Sequence, residues 1–156
     1  AKTKTERARA PRKAARARRV GGTTGPKATV VASARKAKTP KFPKGVVGAV
    51  RAARDRKAVD IVVLDLRTAG GFTDYFVICT GTNPRQINAI ADAVDTTLRS
   101  DLGERPALAE GADRSEWILL DYFDFVVHVF SREYRAFYDL ERLWGSAERY
   151  PIADEP

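Results

Sequence analysis

Aspartates flank the strand-like segments of this chain and are the first candidates for chemistry. They are Asp60, Asp65, Asp74, Asp121 and Asp124. Carboxylates at strand ends could hold Mg²⁺ for phosphoryl transfer. That chemistry needs two carboxylates projecting together and a Gly/Ser phosphate-binding turn, and no Asp-x-Asp lies within or at the end of a strand. We therefore expect no metal and no cofactor, and keep a nucleotidyltransferase-like enzyme using these carboxylates as the alternative.

The chain offers one histidine and one cysteine for acid–base or nucleophilic chemistry. His128 alternates with Val126 and Phe130 in a strand-like run, which favours a packed or partner-facing side chain over a general base. Cys79 lies in a second such run and is expected to be a small core residue. A single His and a single Cys do not supply the ligands of a structural zinc site. The sequence thus favours a protein without catalytic residues.

The elements that would position these residues follow from hydrophobic spacing and capping signals. Asn83 can cap a long helix, with Pro84 in its first turn and Gln86 three residues after the cap. The strand–strand–helix–strand order indicates an α/β (α+β) fold with a mixed five-stranded sheet and flanking helices. The predicted helices are 46–57, 83–99 and a short one after Ser131, and the predicted strands are 60–66, 75–80, 106–111, 117–122 and 125–130.

Charge divides the chain into two parts. Residues 1–45 hold 15 Lys/Arg and one Glu, a formal +14, whereas residues 46–156 hold 13 basic and 19 acidic residues, a formal −6. With Phe42 as its only aromatic residue, the first part cannot build a core. We expect a disordered basic tail over 1–45, one domain over 46–146 and a C-terminal extension over 147–156. An RNA-binding module led by the tail is a further hypothesis, and it would bind RNA only while 1–45 is present.

The lack of a membrane-spanning run and of a secretory signal favours a soluble protein. No run approaches the ~20 apolar residues that span a bilayer, so we expect no membrane partner. No apolar segment follows the basic start, which argues against a secretory signal. A cytoplasmic location in a bacterium is expected. Because residues 1–45 are rich in Arg and poor in acids, an organellar location is the alternative.

Large aromatic residues and carboxylates are interleaved in the last third of the chain. The aromatic residues are Trp117, Tyr122, Phe123, Phe125, Phe130, Tyr134, Phe137, Tyr138 and Trp144, and the acids are Glu116, Asp121, Asp124, Asp139 and Glu141. Aromatic side chains at the centre of a surface and charges on its rim are typical of protein–protein hot spots. An acidic rim favours a basic partner, and basic protein surfaces are plentiful on a ribosome.

Blocks of this chain resemble the ribosomal silencing factor family, also called Iojap. They are DIVVLDLR (60–67), FTDYFVICTG (72–81), RQINAIAD (85–92), EWILLDYFDFVVHVF (116–130) and YDLERLWG (138–145), in one order and without large gaps. The resemblance covers residues 46–146. It implies a sheet of nucleotidyltransferase-like topology without the catalytic motif of those enzymes. It does not account for residues 1–45.

The resemblance also implies a function. Such a protein binds the large ribosomal subunit through large-subunit ribosomal protein number fourteen, at the face where the subunits join, and sterically prevents docking of the small subunit. Off the ribosome it forms a homodimer, and contacts of the basic tail with ribosomal RNA are a further expectation. The family's marked positions fall on Trp117, Asp121, Tyr122, Asp124, His128, Tyr138, Leu140, Glu141, Leu143 and Trp144.

Overall fold

The computed structural model describes residues 40–153, and the predicted disorder of residues 1–39 lies outside the described residues. Within the described range, helices precede, interrupt and follow the strands of a single sheet. In chain order the elements are α1 (Lys44–Asp55), β1 (Val59–Asp65), β2 (Tyr75–Thr80), α2 (Pro84–Leu102), β3 (Leu108–Glu110), β4 (Trp117–Asp121), β5 (Phe125–Phe130), α3 (Arg132–Tyr138), α4 (Leu140–Leu143) and β6 (Glu148–Pro151).

The sheet is mixed, with the strand order β3-β4-β5-β2-β1-β6. β2 and β5 are parallel, and the other neighbouring pairs are antiparallel. A parallel pair needs a long crossover, which here runs through α2, β3 and β4. β2, β4 and β5 are buried along their whole length, as their near-continuous apolar sequences predict. The predicted mixed sheet with flanking helices is confirmed.

The first face of the sheet is covered by α1 and α2. Asn83 caps α2 by accepting a hydrogen bond from the backbone N of Gln86 at 2.8 Å, as its position predicts. The helix ends at Gly103, whose φ of 67° is the left-handed conformation that glycine adopts without strain. The apolar stripe of α2 is buried against the sheet and consists of Ile87, Ile90, Ala91, Val94 and Leu98.

The second face of the sheet is covered by much shorter helices. Ser131 caps α3 by accepting from the backbone N of Tyr134 at 3.1 Å. None of the residues of α3 is buried. Asp139, with φ 45°, separates α3 from α4, and Leu140 and Trp144 then return to the core. This cover leaves aromatic side chains at the surface of the second face.

The sheet has one strand more than predicted. β6 pairs antiparallel with β1 from Val62↔Pro151 to Asp65↔Glu148, and lies within the segment that was expected to form an extension outside the domain. Its sequence, ERYP, has no apolar alternation and ends in proline, so the pattern of a strand is missing. Hydrogen bonding to β1 stabilises β6 as a strand, although its own sequence does not favour one.

The folded region also begins earlier than expected. Phe42, a residue of the predicted tail, packs edge-on against Tyr75 and Tyr150 with ring centroids 5.9 and 5.7 Å apart. One aromatic ring in a basic segment carries no periodicity, so the sequence does not reveal this contact. Residues 40–43 therefore attach the chain to the domain directly before α1.

Candidate functional site

Trp117 and His128 form a hydrogen-bonded pair between neighbouring strands. The Nε1–H of Trp117 donates to Nδ1 of His128 at 3.1 Å, and the two residues are 7% and 1% exposed. Because Nδ1 accepts, the proton of the neutral imidazole lies on Nε2. Burial lowers the pKa of His128 to about 3, so the ring is neutral at physiological pH. The pair is a core feature rather than an exposed reactive group.

Ring contacts run across the second face of the sheet, which we call the aromatic face. In order of contact the rings are Phe72, Phe76, His128, Trp117, Tyr138 and Phe137. Trp144 packs edge-on against Phe76 with centroids 6.0 Å apart. Leu140 and Leu143 belong to the same apolar cluster. The tertiary structure thus brings together Trp117, His128, Tyr138, Leu140, Leu143 and Trp144 from the predicted site.

Glu141 holds the two short helices onto the sheet. Arg135 donates to both of its carboxylate oxygens, at 3.2 and 3.0 Å, and Arg149 of β6 donates to Oε2 at 3.2 Å. The same Arg135 donates to the backbone O of Asp60 at 2.7 Å and to Oγ1 of Thr80 at 2.9 Å. Burial raises the pKa of Glu141. The guanidinium groups of Arg135 and Arg149 together lower it by more, so the pKa lies below the usual value. Glu141 is a positioning residue for the aromatic face.

The turn between β4 and β5 is held by several hydrogen bonds. Buried Asp121 accepts from the backbone N of Phe123 at 2.9 Å, and Oγ1 of Thr73 donates to the backbone O of Phe123 at 2.7 Å. The backbone O of Asp124 accepts from the N of Asp74 at 3.0 Å. Phe123 has φ 80°, which is strained for a bulky residue, and it is 77% exposed. The turn therefore presents a phenyl ring to solvent from a backbone that hydrogen bonds hold in place.

Tyr122 does not join the other predicted residues. It belongs to the core of the first face and stacks on Phe125, with centroids 5.0 Å apart and an angle of 12° between the rings. Burial raises the pKa of its hydroxyl well above the ordinary value. A residue that packs beneath α1 and α2 cannot contact a partner that binds the aromatic face.

Exposure divides the predicted site residues. Asp124 is exposed, and Tyr138, Glu141 and Leu143 are half-buried. The buried members are Trp117, Asp121, Tyr122, His128, Leu140 and Trp144. Two exposed rings at the aromatic face were absent from the predicted set, namely Phe137, which is 77% exposed, and Phe72, which is 40% exposed. The aromatic residues that flank Phe137, Tyr134 and Tyr138, were the sequence signal that could have indicated Phe137.

The strand-end carboxylates Asp65 and Asp121 take part in local hydrogen bonds. Arg67 donates to both oxygens of Asp65, at 3.0 and 2.8 Å, and this hydrogen bonding lowers the pKa of Asp65. Asp121 serves the turn described above. Within residues 40–153, no three His, Cys, Asp or Glu side chains are grouped so that they could hold a metal ion. Cys79 is buried, as expected, and its burial raises the pKa of the thiol to about 12.

The profile of the family "Ribosomal silencing factor during starvation" matches residues 39–156. This chain belongs to that family. The ribosomal silencing factor RsfS of Bacillus subtilis is 40% identical over 106 residues, which cover 68% of this chain and 86% of the relative. The mouse protein named mitochondrial assembly of ribosomal large subunit protein 1 is 33% identical over 96 residues, covering 58% of this chain and 41% of the relative.

A solved structure shows the same fold. A crystal structure of a protein from Chromobacterium violaceum matches with a TM-score of 0.64 at 33% sequence identity, covering 68% of this chain and 88% of that chain. The bacterial relatives are named as silencing factors and not as enzymes. No helix within residues 40–153 is long and apolar enough to cross a membrane.

Proposed function

We propose that this protein represses translation by binding the large ribosomal subunit and preventing, by steric occlusion, the joining of the small subunit. The observation that carries the proposal is the aromatic face of a chain that belongs to the silencing factor family. Phe137 and half-buried Tyr138 and Leu143 are accessible there, and Glu141 is locked beside them by Arg135. The mouse relative's name, which refers to the large subunit, supports the same target.

The partner surface is proposed to be basic and proteinaceous. Exposed Glu133 and half-buried Asp139 border the aromatic face, together with Glu116 and Glu141, whose charges are paired with Arg114 and Arg135. Carboxylates around an apolar centre favour a cationic partner and exclude an acidic one. The partner is large-subunit ribosomal protein number fourteen, as the family resemblance implies. The protein acts without turnover chemistry. Its location is the cytoplasm of a bacterium, and an organelle is the alternative. Off the ribosome it forms a homodimer.

The burial pattern changes which residues should be substituted to test the contact. Phe137→Ala removes an exposed ring without opening the core, so we expect an unchanged fold and a loss of about 1–3 kcal/mol in binding to large subunits. Trp117→Ala removes a core side chain and should lower the free energy of unfolding by about 3–5 kcal/mol. Cosedimentation with isolated large subunits measures binding, urea denaturation measures stability, and light scattering follows subunit joining.

Val47→Ala is the control, because Val47 is an exposed apolar residue on α1, which packs on the opposite face of the sheet. It should leave both binding and stability unchanged. Preferential sedimentation of the protein with small subunits or with joined ribosomes would contradict occlusion. Equal binding of the Phe137→Ala and Val47→Ala proteins would show that the partner does not dock on the aromatic face.

A further inference from the structure

Cationic side chains are exposed on α1, in the turn that follows it and in the first turn of α2. We call this set, which consists of Lys44, Arg51, Arg56, Lys57 and Arg85, the basic stripe; all of its members are exposed. The side-chain amide of Gln86 connects the two helices by donating to the backbone O of Arg56 at 2.9 Å and of Lys57 at 3.0 Å. Arg85, in the first turn of α2, is thereby held beside the end of α1.

The charges of the basic stripe are not neutralised within the described part of the chain. None of its members lies within 4.0 Å of a carboxylate there, although Arg67, Arg99 and Arg114 elsewhere on the surface each pair with one. Asp55 is the single acidic residue of α1. Apart from Lys44, the stripe lies within residues 46–156, whose formal charge is −6, and it is therefore a local excess of positive charge.

The stripe continues the charge of the N-terminal segment. Phe42 packs against Tyr75 and Tyr150, so the chain enters the domain at a fixed point immediately before α1. Of the 15 Lys/Arg of residues 1–45, all except Lys44 precede α1, and Lys44 is its first residue. From there, a helix of 12 residues extends for about 18 Å with cations on its exposed side. Positive charge thus runs from the N-terminal segment onto a rigid element.

We infer that the basic stripe binds the phosphate backbone of RNA without base specificity. Uncompensated guanidinium and ammonium groups on two connected helices and the turn after the first suit a polyanion, because phosphate neutralisation releases counterions. The stripe contains no exposed aromatic ring on which bases could stack. It lies on the helices of the first face, whereas the proposed protein-binding surface is the aromatic face, so one domain can contact RNA and protein on opposite sides.

Salt dependence of RNA binding tests the inference in the full-length chain. The triple variant Arg51→Gln, Arg56→Gln and Arg85→Gln is compared with the triple variant Arg67→Gln, Arg99→Gln and Arg114→Gln, which removes the same formal charge from arginines that carboxylates already compensate. With a mixed-sequence RNA duplex as the probe, we expect the stripe variant to bind roughly 10-fold more weakly and its slope of log affinity against log salt to fall by about 2–3. The control slope should change by less than about 1.

Several outcomes would overturn the inference. Equal losses of RNA affinity in the two triple variants would show that RNA binding depends on net charge alone. Unchanged RNA affinity in the stripe variant would show that other residues contact the RNA. A loss confined to binding of polyglutamate would identify an acidic protein as the partner instead. Circular dichroism checks the fold, and Arg51→Gln alone, with an expected slope change of about 0.7–0.9, serves if the triple variant is unstable. Because the probe is free RNA, failure here is distinct from failure of ribosome docking by Phe137→Ala.

Discussion

Single residues of the aromatic face have separate tasks. Trp117 and His128 fill the core, Nδ1 of His128 accepts the indole N–H of Trp117, and the low pKa of His128 keeps this pair uncharged. Phe137 has little contact with the core and is accessible to a partner. The residue type alone does not tell which aromatic side chain is core and which is accessible, because indole and phenyl rings occur both in protein cores and in binding surfaces.

The ion pairs of Glu141 should make the domain sensitive to acid. The pKa of Glu141 is lowered in the folded state, so its stabilising effect is complete above the pKa of an unfolded-state Glu, about 4.3, and is lost as the pH falls through the lower folded value. We expect Glu141→Gln to reduce the free energy of unfolding by about 1–3 kcal/mol at pH 7, with a much smaller difference near pH 3. Urea denaturation at the two pH values measures the effect.

Glu133→Gln is the matched control, because Glu133 is exposed and has no ion pair within residues 40–153. Its stability should equal that of the unaltered chain at both pH values. A Glu141→Gln protein that is as stable as this control at pH 7 would show that Arg135 and Arg149 do not need the carboxylate to hold α3, α4 and β6 in place.

Among the elements, β6 protects the edge of the sheet. It pairs with β1, and Tyr150 and Ile152 pack against the core of the first face. Without β6, the N–H and C=O groups of β1 would form an open edge beside buried Val62 and Leu64. β6 is itself short and polar and carries Pro151, features that discourage further strand addition.

Removal of residues 146–156 tests this role. We expect a lower melting temperature, a loss of at least about 2 kcal/mol in the free energy of unfolding, and concentration-dependent association through β1 into assemblies larger than those of the unaltered chain. Thermal denaturation and light scattering measure these changes. Removal of residues 154–156 alone keeps β6 and should have neither effect. A protein without residues 146–156 that is as stable as the unaltered chain and forms no larger assemblies would show that β6 adds nothing to the sheet.

In the whole molecule, opposite charges occupy different regions. The N-terminal segment is strongly basic and the remainder is acidic by composition. Contact of the basic segment with ribosomal RNA would raise the local concentration of the domain at the large subunit, while the domain selects the protein site. In this arrangement the basic segment would contribute affinity and the domain would contribute specificity.

A chain that begins at Pro40 retains Phe42 and its ring contacts but lacks most of the basic segment. Compared with the full-length chain across a salt series, we expect it to bind large subunits more weakly and with a flatter dependence on salt, because fewer counterions are released. The location of binding, mapped by crosslinking, should not change. Equal salt slopes for the two chains would show that residues 1–39 contact no phosphate in the complex.

Local sequence patterns were sufficient to predict most elements of the fold. Hydrophobic runs predicted β1, β2, β4 and β5, and Asn83 and Ser131 marked the starts of α2 and α3. These features depend on residues a few positions apart, whose spacing and capping act within one element. The aromatic and acidic composition of the last third led to the proposed binding surface, which stays a prediction.

Contacts between distant segments determined the remaining features. β6 is a strand because β1 lies beside it, and Phe42 is ordered because Tyr75 and Tyr150 meet it. Trp117 is buried and Phe137 is exposed because the two short helices cover only part of the second face. Burial depends on which surfaces meet in three dimensions, and that information is not contained in the periodicity of any single segment.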